Sequence, residues 1–113
     1  MKIILASKSG VREKILKKNN FNYIVVPSNV DEDQVKESLL AVGANPVLIS
    51  KNLAELKSTK VSNKYPDQMV LGADSVISLN NELINKPKTR KEALEILKKL
   101  NGQKHFLITS VCI

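Results

Sequence analysis

The chain has 113 residues, 42% of them hydrophobic and 26% charged, which suits one globular domain and leaves little room for two. Its formal net charge is +7, from 18 Lys and Arg against 11 Asp and Glu. The lysines are interspersed with glutamates and only 4% of residues are aromatic, so stacking platforms for a nucleic acid are scarce and the charge fits a phosphate-bearing small molecule as well. No apolar run approaches the ~20 residues of a membrane span. The opening Met1–Ser7 stretch is too short for a secretory leader and runs straight into Lys8 and Arg12. Cys112 is the only cysteine, which allows no internal disulfide and disfavours a structural zinc site. A single cytoplasmic domain over residues 1–113, with no membrane partner, is the expectation.

Residues 2–6 read as a short apolar strand that runs into the Ser7-Lys8-Ser9-Gly10 turn. Ser9 is a suitable N-cap for a helix to about Lys18, with Val11, Ile15 and Leu16 as its buried stripe. A strand, a Ser/Gly turn and a helix start together make an anion site, because free backbone amides and the helix dipole point the same way. Arg12 puts a cation in that first turn, where the dipole disfavours it. It is either a solvated surface residue or a partner for an anion.

Phe21 to Val26 reads as a second strand, closed by Pro27. Three acids, Asp31, Glu32 and Asp33, then open a helix led by Val35, Leu39 and Leu40. Acids in a first turn are favourable for dipole reasons alone, but the group also has the oxygen donors that Mg²⁺ takes. Gly43-Ala44-Asn45 separates this helix from the next, which Pro46 begins. Ile49, Leu53, Leu56 and Lys60 lie along one face of it. Lys57 sits at the edge of that stripe, where a long charged side chain ordinarily snorkels to water.

Residues 69–78 form an apolar run interrupted by Gly72 and by one carboxylate, Asp74. Such a run is a strand covered on both faces. An acid inside it must be paired, hydrogen-bonded or metal-bound, and a structural carboxylate is the plainer reading from this stretch alone. Asn80-Asn81 suits a tight hairpin, ended by Asn85-Lys86-Pro87. Thr89-Arg90-Lys91-Glu92 is a capping box. It leads an amphipathic helix of Ala93, Leu94, Ile96, Leu97 and Leu100, stopped by Asn101-Gly102. His105 to Ile113 is a final apolar strand carrying Thr109. The whole is an α/β domain: a mixed, twisted sheet with flanking helices.

The phosphate loop of the Gly-rich Lys-Ser/Thr type and the dinucleotide Gly fingerprint are both absent. What the chain offers is a Ser/Gly turn at a helix start, acids at Asp31, Glu32 and Asp74, and cations at Arg12, Lys57 and Lys86. That set suits metal-assisted phosphoryl chemistry.

Six short motifs in order resemble the Maf family of nucleoside triphosphate pyrophosphatases. Leu5-Ala6-Ser7-Lys8-Ser9-Gly10-Val11-Arg12 looks like the opening L-A-S-x-S-x-x-R, and Val30-Asp31-Glu32 like V-D-E. Leu53-Ala54-Glu55-Leu56-Lys57-Ser58 resembles L-A-x-x-K-A. Gly72-Ala73-Asp74 matches G-A-D, Lys86-Pro87 matches K-P, and Leu100 to His105 matches L-x-G-x-x-H. Inosine-triphosphate pyrophosphatases share a similar opening and fold, but Gly-Ala-Asp and Lys-Pro fit Maf better.

The resemblance implies hydrolysis of a nucleoside triphosphate to the monophosphate and pyrophosphate, acting on non-standard or excess nucleotides. It implies triphosphate contacts from Ser7, Ser9, Arg12, Lys57 and Lys86. Glu32 and Asp74 would bind Mg²⁺ or Mn²⁺, with Asp74 the proton acceptor for the attacking water. Two departures stand out: Gly10-Val11-Arg12 replaces the paired arginines of many members, and the family pattern continues beyond the strand at 105–113. A domain incomplete at that point is expected to expose an apolar strand, to self-associate or dimerise through it, or to bind nucleotide with little or no catalysis.

Overall fold

A computed structural model describes residues 2–84 and 89–113. The elements in order are β1 (Lys2–Leu5), α1 (Gly10–Lys18), β2 (Asn22–Val25), α2 (Glu32–Ala41), α3 (Pro46–Ser62), β3 (Met69–Leu79), β4 (Glu82–Ile84), α4 (Arg90–Leu100) and β5 (His105–Cys112). The mixed α/β architecture expected from the sequence is the one observed. Lys86, with the rest of the hairpin's end, lies outside the described residues. Among the described residues no helix is long and apolar enough to cross a membrane.

The sheet is organised on β3. Its first residues pair in parallel with β1, Ile3 opposite Met69 and Leu5 opposite Leu71. β1 in turn pairs in parallel with β2, Lys2 opposite Asn22 through Leu5 opposite Val25. Further along, β3 pairs antiparallel with β4 at residues 77–79 and with β5 from Gly72 to Leu79. Residues 77–79 are therefore flanked on both edges, so the far half of β3 is an interior strand. Its burial is near-continuous, as an interior position requires.

Local chemistry sets the boundaries. Ser9, Asp31, Asn45 and Thr89 cap the four helices, each side chain accepting from a backbone N–H three residues on. Pro46 occupies the first turn of α3, as expected. Asn80 and Asn81 have φ of 51° and 65°, the left-handed pair that a two-residue hairpin needs.

Burial departs from the periodic stripes in all four helices, α4 included, where no residue is fully buried. In α1 only Leu16 is buried, and Val11 and Ile15 are exposed. In α2 nothing is fully buried. In α3 the inward face is Ile49, Ser50, Leu53, Ala54, Lys57, Ser58 and Val61, whereas Leu56 and Lys60 face outward. In α3 the reason is Gly72. A Cβ there would lie 2.5 Å from the Ala54 carbonyl oxygen and 2.7 Å from the Ser58 nitrogen, so α3 rests its backbone against β3 at this point. Small residues at Ala54 and Ser58 face the glycine, and this close approach rotates Lys57 inward. Ile4, Ala6, Val61 and Val70 form the adjoining apolar cluster, with Val26 packed on its edge.

Candidate active site

β1 lies between β2 and β3: the connection after β1 crosses to one side, and the connection after β2 crosses back over β1 to the other. In parallel α/β sheets such a switch point opens a crevice beyond the strand ends. Here a cavity of about 370 Å³ occupies it, between the Ala6–Ser9 turn, Arg12, the 28–30 loop, Glu32 and Lys57. That volume falls in the range of small-molecule sites.

The turn after β1 is built around the Ser7 hydroxyl. Ser7 is buried, and its Oγ accepts from the Ser9 N–H at 3.1 Å and from Arg12 Nη1 at 3.1 Å. Ser9 Oγ accepts from the Arg12 N–H at 3.3 Å and so starts α1. Arg12 is not a free surface cation. Its Nη2 reaches across to Ser75 on β3, at 3.3 Å, and Ser75 Oγ lies 2.9 Å from Thr109 Oγ1 on β5. On the opposite wall Lys60 Nζ donates to the Asn29 carbonyl at 2.8 Å, which ties the 28–30 loop to α3.

Lys57 is 8% exposed rather than snorkelling to solvent. Its ammonium pairs with Glu32 Oε1 and with Asp74 Oδ1, the latter at 3.2 Å, and approaches the Ala73 carbonyl at 3.4 Å. Asp74 is 2% exposed, its backbone carbonyl accepts from Ser50 Oγ, and its Oδ2 is buried without a hydrogen-bond partner. One ammonium thus offsets two carboxylates contributed by distant segments. Desolvated charges need this compensation, and an orphaned carboxylate oxygen is unusual enough to require a reason. Of the acidic run, Asp31 caps α2 and only Glu32 turns into the cleft.

Five of the expected site residues, Ser7, Ser9, Arg12, Glu32 and Lys57, line one cavity, and Asp74 reaches it through Lys57. The sequence reading missed Ser75, which alternation along β3 places on the face opposite Asp74, and the part played by Thr109 opposite it. The signal was present, because hydroxyl side chains in an apolar interior strand need partners just as Asp74 does.

The donor set accommodates a divalent cation in one particular way. Among the described residues no group of three or more His, Cys, Asp and Glu converges. Two carboxylates are nevertheless enough for Mg²⁺ when phosphate oxygens and water complete the octahedron, and Asp74 Oδ2 is the uncommitted donor. Such a donor set would suit a cation that arrives with a phosphate ligand better than it would make a closed protein cage.

Comparison with known proteins identifies the family. Over 111 residues the chain is 64% identical to a nucleoside triphosphate pyrophosphatase of Pelagibacter ubique, covering 98% of the chain and 57% of that protein. It is 38% identical to a dTTP/UTP pyrophosphatase of Aquifex aeolicus, covering 100% of the chain and 56% of the relative. A dTTP/UTP pyrophosphatase of Pyrococcus furiosus is also 38% identical, over 99% of the chain and 55% of its own length. The chain therefore spans somewhat more than half the length of these relatives. The family model described as Maf-like protein matches residues 2–113, and the chain belongs to that family.

Proposed function

We propose that the chain binds the triphosphate of a nucleoside triphosphate in this cleft and contributes to its hydrolysis to a nucleoside monophosphate and pyrophosphate. The observation that carries the reading is Lys57 held between Glu32 and Asp74 at the end of a cleft whose other wall is a helix start and Arg12. An arriving triphosphate competes with both carboxylates for the Lys57 ammonium. Once the ammonium turns to phosphate, the Asp74 carboxylate is released from its ion pair and is available to the site. Ser7, Ser9 and Arg12 orient the phosphates at the α1 N-terminus, and Lys86 is the proposed third cation.

In the reaction the water oxygen attacks the α-phosphorus and the bridging bond to the β-phosphate breaks. Pyrophosphate leaves with the electron pair, and the water's proton passes to an Asp74 oxygen. Arg12 and Lys57 offset the charge that develops on the phosphate oxygens. Glu32 and Asp74 would hold Mg²⁺ or Mn²⁺, whose positive charge would further neutralise those oxygens. A cytoplasmic location, where nucleoside triphosphates are made and consumed, goes with this reading.

Pyrophosphate release from a panel of triphosphates with Mg²⁺ or Mn²⁺ tests it. dTTP and UTP come first, because two relatives are named for them. The expected result is turnover that falls by roughly 100-fold or more in Asp74→Asn, the scale of a lost general base. No turnover of any triphosphate, or equal turnover by Asp74→Asn, would overturn hydrolysis. A second reading, nucleotide binding without turnover, is favoured by the near-complete burial of Asp74 behind Lys57. Its signature is thermal stabilisation by a triphosphate with no product formed.

A further inference from the structure

β3 supplies consecutive residues to two of the cations that line the cleft, Lys57 and Arg12. Asp74 holds Lys57, and Ser75, on the opposite face of the strand, holds Arg12. Ser75 and Thr109 are directly paired in the antiparallel register of β3 and β5, so their hydroxyls meet as a cross-strand pair. The direction of the chain of hydrogen bonds follows from donor chemistry. A guanidinium can only donate, so Ser75 Oγ accepts from Arg12 Nη2. The single Ser75 proton is then available to Thr109 Oγ1. Ser7 takes Nη1 of the same guanidinium, so two hydroxyls from different segments hold it in one plane.

We propose that Ser75 and Thr109 are positioning residues that fix the Arg12 guanidinium at the cleft, so that phosphate affinity depends on β5, which does not line the cavity. The proposal rests on the triphosphate reading of that cleft. An arginine held by two neutral acceptors keeps its full charge and still has N–H groups to offer an anion. It also has less conformational freedom to lose when the anion binds. An arginine held by a carboxylate would have lost part of that advantage. Neither hydroxyl touches the reacting phosphorus in this scheme, and their effect passes entirely through Arg12.

The test is the affinity of the whole chain for inorganic tripolyphosphate, measured by titration calorimetry, with unfolding midpoints recorded for every variant. Ser75→Ala is expected to weaken binding roughly fivefold to tenfold, and the near-isosteric Thr109→Val roughly threefold. Ser75→Thr and Thr109→Ser, which keep the hydroxyls, should restore most of the affinity. In an Arg12→Ala background neither Ser75→Ala nor Thr109→Val should cause further loss, because the group they position is gone. Losses of the same size with and without Arg12, or full affinity in both hydroxyl deletions, would overturn the positioning role and leave the triphosphate reading intact. If the unmutated chain fails to bind tripolyphosphate, the triphosphate reading falls, and the role built on it falls too. Thr109→Val keeps the side-chain shape, so it decides between these outcomes should Ser75→Ala fail to fold.

Discussion

Helices α3 and α4 invert what their sequences lead one to expect. α4 has the cleaner amphipathic pattern, with Ala93, Leu94, Ile96, Leu97 and Leu100 on one stripe, yet none of its residues is fully buried and Leu97 is 64% exposed. α3 has lysines and serines distributed around it, yet it buries eight residues, among them Leu53 at 0% and the charged Lys57. A hydrophobic stripe records which face of a helix is suited to contact, not what the fold brings to that face. α3 is buried because Gly72 lets it lie against β3, and its inward serine and lysine carry hydrogen bonds and charge pairs into the site.

Two substitution experiments can break or sharpen this contrast. The largest effect is expected in the core of α3. Leu53→Ala should cost about 3–4 kcal/mol in denaturant unfolding, through lost burial and the cavity left behind. Leu97→Ala on α4 should stay within about 0.5 kcal/mol. Equal costs for the two would show that α4 is packed in solution, and the contrast would fail. The next effect tests its cause. Gly72→Ala drives a methyl into backbone atoms of α3 that cannot rotate away, so a loss of about 3 kcal/mol is expected. A loss below about 1 kcal/mol would mean that α3 can lift off β3 with little penalty, and that Lys57 is not fixed by the glycine contact.

Much of this was legible in the residues because it is local. The Ser9 and Thr89 caps, Pro46 at the start of α3 and the Asn80-Asn81 hairpin each follow from one or two side chains and their neighbours. The strand containing Asp74 was legible from its apolar run, and the need for a partner to Asp74 from the cost of burying a charge. The identity of that partner was not. Lys57 looked like an edge residue, because α3's rotation is set by contact with Gly72 and not by its own periodicity. Arg12 was recognised as misplaced for a helix dipole, but its link to Ser75 depends on how β1 and β3 pair across most of the chain. Non-local register is the information that a linear scan lacks.

That pairing also bears on how the molecule comes together in time. Ile3 lies beside Met69, and the Ala6 amide donates to the Leu71 carbonyl, so joining β1 to β3 closes the longest loop among the strand pairings of the described residues. α1, α3 and the β3–β4 hairpin need only neighbouring residues, and loop-closure entropy favours contacts of that kind first. Ser7, Ser9 and Arg12 follow β1, while Asp74 and Ser75 follow the paired part of β3, so the two walls of the cleft meet only when that loop closes. We therefore expect the cleft to be among the last features to form. In pulse-labelled hydrogen exchange during refolding, the Ala6 amide should gain protection after the amides of the β3–β4 hairpin, and the reverse order would refute this sequence of events.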